Sequence, residues 1–153
     1  MSLESDIAGF AIGQIAADEL PSLAAQWVKS GYNSASLERL AAAHNVSTPE
    51  VRDLFFAAVN EMGYSVPSLN NAGMILARHI AGEVLSHALT PYDGAKRIWT
   101  QIYLRLPSLK QLGPFVGLAA AYEDDGERAE SYSRQILRHC EILVSGSRTH
   151  AVQ

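Results

Sequence analysis

Apolar residues recur at intervals of three and four through nearly the whole chain, and no stretch alternates apolar and polar residues over a convincing length, so helices are expected throughout. Asp6 through Ala17 reads as a first helix, apolar on most sides and suited to burial. Asp18 can cap a second helix with Pro21 in its first turn; Leu20, Leu23, Ala24, Trp27 and Val28 share one face and Gly31 supplies the stop. Ser34 or Ser36 opens a third helix, with Leu37, Leu40 and Ala41 inward. Thr48-Pro49-Glu50 is a capping residue followed by proline in the first turn, and Val51, Leu54, Phe55, Ala58 and Met62 follow at helical spacing up to Gly63.

A long helix is expected from Ser68 to about Ala88, with Leu69, Gly73, Leu76, Ala77, Ile80 and Val84 on its apolar side. Thr90-Pro91 repeats the cap-plus-proline start and leads a clean stripe of Ala95, Ile98, Trp99, Ile102, Tyr103 and Leu106, closed by Pro107. Residues 108–122 read as a helix interrupted at Gly113-Pro114. A last helix from about Glu127 to Val144 turns Ala129, Tyr132, Ile136, Cys140, Leu143 and Val144 inward. Connections of two to six residues suit a compact helical domain. The expected architecture is therefore all-α: one domain over 1–153, a compact bundle of seven or eight helices with short connections, its ends at 1–5 and 146–153 loosely held.

Composition narrows the classes. The chain has 153 residues, 48% hydrophobic and 18% charged, which excludes a disordered or coiled-coil composition. Twelve Lys and Arg against sixteen Asp and Glu leave a net charge of −4, unlike a nucleic-acid coat or a polybasic membrane binder. The apolar run from Ile7 to Ala17 has no Lys or Arg before it and falls short of the about 20 residues a membrane span needs. The single cysteine, Cys140, has no internal disulfide partner, and a cytoplasmic location without cofactor is the expectation. Charge is uneven. Arg78, Lys96, Arg97, Arg105 and Lys110 make residues 78–110 basic, whereas acids dominate 121–145.

Three groups of residues invite a chemical reading. Residues 37–56 have the layout of a helix-turn-helix, with small Ala41 where two helices would cross and Asn45 able to take a left-handed turn. A recognition helix should offer cations and amides to DNA, but this one begins Pro49-Glu50 and sets Arg52 beside Asp53. The pair therefore reads first as a packing unit, with DNA binding as the alternative. His79, Glu83 and His87 stand at four-residue steps along one stripe, where imidazoles and a carboxylate could hold a divalent metal or act as acid and base. No third strong ligand accompanies them, so border hydrogen bonds are the plainer account and a metal-dependent enzyme the further alternative. In Tyr122-Glu123-Asp124-Asp125 the acids could meet a basic partner or a metal, or Asp124 or Asp125 could cap the final helix.

Cys140 has only His139 beside it, and neighbours on a helix point about 100° apart, so a buried structural thiol is expected. The spacing Gly9-x-x-x-Gly13 would let two helices approach closely, in a homodimer or within the chain. Phe56, Ile75, Leu104 and Ile142 fall off the main apolar face of their helices and could form an exposed patch, with Lys96, Arg97, Arg105 and Lys110 as a basic rim.

The run from Ile80 to Trp99, with its Thr90-Pro91 start and Gly94-Ala95-x-x-Ile98, resembles a pattern found in small bacterial helical proteins that have no assigned biochemistry. Glu19-Leu20-Pro21, Gly31-Tyr32-Asn33-Ser34, and Phe115-x-Gly117-Leu118-Ala119 with Tyr122-Glu123-Asp124 are similar to the same group. The resemblance implies a helical fold from about Asp18 onward and transfers no catalytic or binding residue. The expected function is a non-enzymatic protein-interaction or regulatory module, for example an immunity-type protein that neutralises a partner. Phe56, Lys96, Arg97, Leu104, Arg105, Glu123 and Asp124 are its candidate contact residues.

Overall fold

The computed structural model describes residues 2–152, and for residues 147–152 the backbone alone. The described residues form eight α-helices and no strand. They fall into two compact units, divided between Ser68 and Leu69.

The first unit holds α1 (Leu3–Ala11), α2 (Leu20–Lys29), α3 (Ala35–Ala41) and α4 (Thr48–Glu61). Helix α1 starts earlier and ends sooner than the apolar pattern suggests. The Ser2 hydroxyl accepts from the Ser5 amide at its start, and Gly13 at φ +83° turns the chain after its end. The expected loose start is instead a first helical turn with Leu3 and Ser5 buried. A 3-10 turn at Ala17–Glu19 leads into α2, whose first turn carries Pro21, and Gly31 at φ +101° ends that helix as expected.

Ser34 caps α3 through the Leu37 amide. The cap of α4 is Ser47, one residue before the expected Thr48, because the Ser47 hydroxyl reaches the Glu50 amide. Asn45 does take the left-handed conformation, at φ +56°. Helix α3 packs on α2 and α4. Leu3, Ile7, Leu20, Trp27, Leu37, Leu40 and Phe55 lead the core, and the Phe55 ring lies 4.6 Å from Phe10 and 5.8 Å from Trp27. Val28, expected on the inward face of α2, is exposed.

The second unit holds α5 (Leu69–Leu85), α6 (Pro91–Arg97), α7 (Gly113–Asp124) and α8 (Ala129–Val152). Helix α5 stops three residues before the expected end, since His87 takes φ +67° and turns the chain toward α6. Thr90 caps α6 by accepting from the Asp93 amide, as its Thr-Pro signature implies. The stripe beyond it continues as a π-helical segment, Ile98–Tyr103, in which the Leu104 amide donates to the Trp99 carbonyl. Ala95, Ile98 and Ile102 are buried, whereas Trp99, Tyr103 and Leu106 are half-buried. Helix α7 begins at Gly113-Pro114, where the interruption was expected. Helix α8 packs on α5, α6 and α7 and buries Ile136, Cys140 and Leu143. From residue 147 on, the expected loose tail lies outside the residues whose side chains are described.

Two glycines of this unit set helix spacing. A Cβ at Gly94 would overlap a Val84 methyl, so α6 approaches α5 at that point as only glycine allows. A Cβ at Gly73 would stand 2.6 Å from Leu106 Cδ1 and 2.9 Å from Leu109 Cδ1. Among the described residues no helix is long and apolar enough to cross a membrane.

Candidate functional site

A group of polar and aromatic side chains in the second unit joins α6 to the end of α7. Thr90 and Pro91 fix where α6 begins, and this sets Tyr92 and Lys96 one helical turn apart on the same side. The Tyr92 ring stacks on Tyr122 with centroids 4.6 Å apart. Its hydroxyl donates to Glu123 Oε2 at 2.6 Å, and Lys96 Nζ donates to the same oxygen at 2.7 Å. Lys96 also stands 4.3 Å from the centre of the Trp99 ring, a cation–π contact.

The charges of this group balance one another. Lys96, then Tyr92, hold the Glu123 carboxyl below its ordinary range. The hydrogen bond to Glu123, with partial burial, pushes the Tyr92 hydroxyl up to about 12. Lys96 and Glu123 were candidate contact residues, and each is engaged by the other. Arg97 and Arg105 are exposed, as is Asp124, the last residue of α7. Asp125 is the N-cap residue of the 3-10 segment Gly126–Arg128, but its side chain makes no capping bond there and stands 3.7 Å from Arg128. The chain turns through a 3-10 segment at Gly126–Arg128 before α8, so the acids sit too early to cap that helix.

Leu104 follows the π-helical segment and is 64% exposed; Ile142 on α8 is 57% exposed. Ile75 is half-buried. Phe56 belongs to the first unit, where it is 40% exposed and meets Phe10 and Phe55 edge-on at 5.9 and 6.1 Å.

The metal-centre candidates do not converge. His79 Nε2 and Glu83 Oε1 are 2.9 Å apart along α5, an ordinary i,i+4 pair at the border of the apolar face. His87 lies beyond the helix, exposed, with its backbone in the left-handed region, which takes it off the stripe. Among the described residues no three His, Cys, Asp or Glu side chains are grouped to hold a metal ion. Cys140 is buried, and the loss of solvent pushes its thiol up to about 12.

The helix-turn-helix layout is present locally as α3, the Asn45 turn and α4, but the outward residues of α4 include Glu50, Asp53 and Glu61 against one cation, Arg52. Such a surface repels a phosphate backbone. The glycine pair is not a helix face. Gly9 is buried with its would-be Cβ 3.2 Å from Ile15 of the same unit, and its carbonyl accepts from Gln14 and Ile15, while Gly13 lies past the helix end.

Two polar pairs, one buried and one part-buried, had no signal in the sequence. The Trp27 indole donates to Asp6 Oδ2 at 2.9 Å. The Ser36 amide and hydroxyl donate to the two Glu61 oxygens at 3.0 and 2.5 Å and hold that carboxyl below its ordinary range. Each pair spans more than twenty residues of chain, beyond the reach of local spacing. No family model, curated protein or solved structure matches the chain.

Proposed function

We propose that the protein is a non-enzymatic interaction module whose second unit recognises a protein partner through Leu104, with Ile142 as a second apolar contact and Arg97 and Arg105 as charged neighbours. An immunity-type role, in which binding neutralises the partner, is the form this proposal takes, and the resemblance to small bacterial helical proteins belongs to it. The observation that carries it is the 64% exposure of Leu104. Burying a leucine contributes about 1.5–3 kcal/mol, so leaving one in water where the chain leaves the π-helical segment forgoes stability that a partner surface would recover.

The test is co-purification from source cells of the wild-type chain, L104E and I142E, with E130Q as a surface control. A protein that accompanies the wild type and E130Q in fixed proportion and is lost from L104E supports the reading. The same companions with all four chains, or none with any, overturns it. A phosphate-binding role for α4 is not part of the proposal, since its outward acids oppose one.

A further inference from the structure

The segment after α6 is compatible with two helical registers. Along the sequence Ala95, Ile98, Trp99, Ile102, Tyr103 and Leu106 recur at steps of three and one, the spacing of an unbroken α-helical stripe. No Gly or Pro lies between Ala95 and Leu106 to interrupt it. The structure nevertheless runs π-helical over Ile98–Tyr103, and the Leu104 amide donates to the Trp99 carbonyl, five residues back, at 3.1 Å. A π turn takes in one residue more than an α turn before it closes, and such turns are rare. The packing partner on α5 favours the π register. Gly73 has no side chain at the point where the segment crowds in, and a Cβ there would stand 2.6 Å from Leu106 Cδ1 and 3.3 Å from Ile102 Cγ2. In this register Ile98 and Ile102 are wholly buried. Trp99, Tyr103 and Leu106, which an α register would turn inward with them, stay half-buried.

The α register stays open to the same residues. In it the Leu104 amide would donate to the Thr100 carbonyl, so one backbone bond replaces another. The change turns everything after the segment by one residue, about 100° around the helix axis. Pro107 stops the helix in either register, and residues 104–109, which belong to no α-helix, can absorb the shift. One stripe with two discrete packings is the structural basis of a switch. From these features we infer that Ile98–Tyr103 is a two-state element, π-helical in the structure and α-helical in a second state, whose conversion turns Leu104 and Arg105 by about 100° around the helix. For its use the inference rests on the reading of Leu104 as a partner contact: a surface that closes on Leu104 in one register holds the segment there. The register shift itself belongs to the free chain.

The test uses the free full chain and NMR. Relaxation dispersion of the wild type should show exchange confined to residues 98–106, with a second state populated between about 0.1 and 10%. Couplings across hydrogen bonds identify the acceptor of the Leu104 amide, which should be the Trp99 carbonyl in the wild type. G73V fills the space that Leu106 and Ile102 occupy and should move the acceptor to the Thr100 carbonyl. Deleting Thr100, an exposed residue, brings Ile98, Ile102 and Leu106 to α-helical spacing on one face and should abolish the exchange. T100A loses only the hydroxyl bond to the Lys96 carbonyl and should keep it. Should G73V fail to fold, the wild-type dispersion and the deletion decide. Flat dispersion in the wild type, a folded G73V that keeps the Trp99 acceptor, or exchange that survives the deletion overturns the inference. No partner enters these measurements, so their failure leaves the partner reading standing, and a failed co-purification leaves the register shift standing.

Discussion

Gly94→Ala tests the packing of the second unit in a way that separates packing from helix propensity. On propensity alone, alanine at an interior helical position should stabilise α6 by up to about 1 kcal/mol. The geometry opposes this. The added methyl would overlap Val84 Cγ2 and touch Ile80 Cγ2 at 3.7 Å. Val84 is buried and β-branched, and its χ1 is all but fixed within a helix, so it cannot swing aside. Overpacking of this kind costs about 1–3 kcal/mol, and offset against a propensity gain of about 1 kcal/mol it leaves a net loss of up to about 2 kcal/mol. Gly82, on the same helix as Val84, has open space where its Cβ would go, and G82A should stabilise by a few tenths to about 1 kcal/mol. Urea denaturation of G94A, G82A, V84A and G94A/V84A measures all four. V84A alone should cost about 2 kcal/mol through its cavity, and the double variant should be less destabilised than the sum of the singles by at least about 1 kcal/mol. A stabilised G94A, or strict additivity with V84A, refutes the close approach of α6 to α5.

Trp27→Phe should destabilise the chain by about 1–3 kcal/mol, read by the same denaturation series, because it strips the indole donor from the buried Asp6 carboxyl. For Glu61, whose folded pKa is depressed, the associated stability is present above the unfolded pKa and lost as pH falls through the folded one. S36A should accordingly cost more at pH 7 than in strong acid, and an equal cost at both would contradict the Ser36–Glu61 bond. In a spectrophotometric titration one tyrosine should ionise late, near pH 12, and E123Q should return it to the ordinary range. Tyr92 has a raised folded pKa, so its contribution is complete below about pH 10 and declines as pH rises toward 12. Cys140 should react with a thiol reagent in denaturant but not in the native chain; rapid native labelling would contradict its burial.

What the sequence reveals is what short-range physics controls. Ser34, Thr90, Pro91 and Pro114 mark helix starts because caps and prolines act within one turn. Gly31 and Gly63 mark ends because the left-handed residue after a helix costs glycine least. The first helix was misplaced because its apolar run is nearly unbroken to Ala17, which hides the turn at Gly13. His87 was placed on the α5 stripe for a related reason. A histidine at φ +67° departs from the residue types that signal a helix end, so nothing local separated it from His79 and Glu83. The tie of Lys96 and Glu123 was invisible because their partnership depends on how α6 meets α7. The exposure of Leu104 was legible as an apolar residue off its stripe. The bond between Trp27 and Asp6 was not, because it depends on where α2 brings Trp27.

The central claim is that the second unit works by contact at Leu104. Hydrogen exchange, compared residue by residue between the free chain and its purified complex, tests it most directly. The account predicts slowed exchange over residues 98–106 on partner binding, with α4 and the His79–Glu83 turn of α5 unchanged. Protection centred on α4 or on His79 and Glu83, with residues 98–106 exchanging as in the free chain, would contradict it.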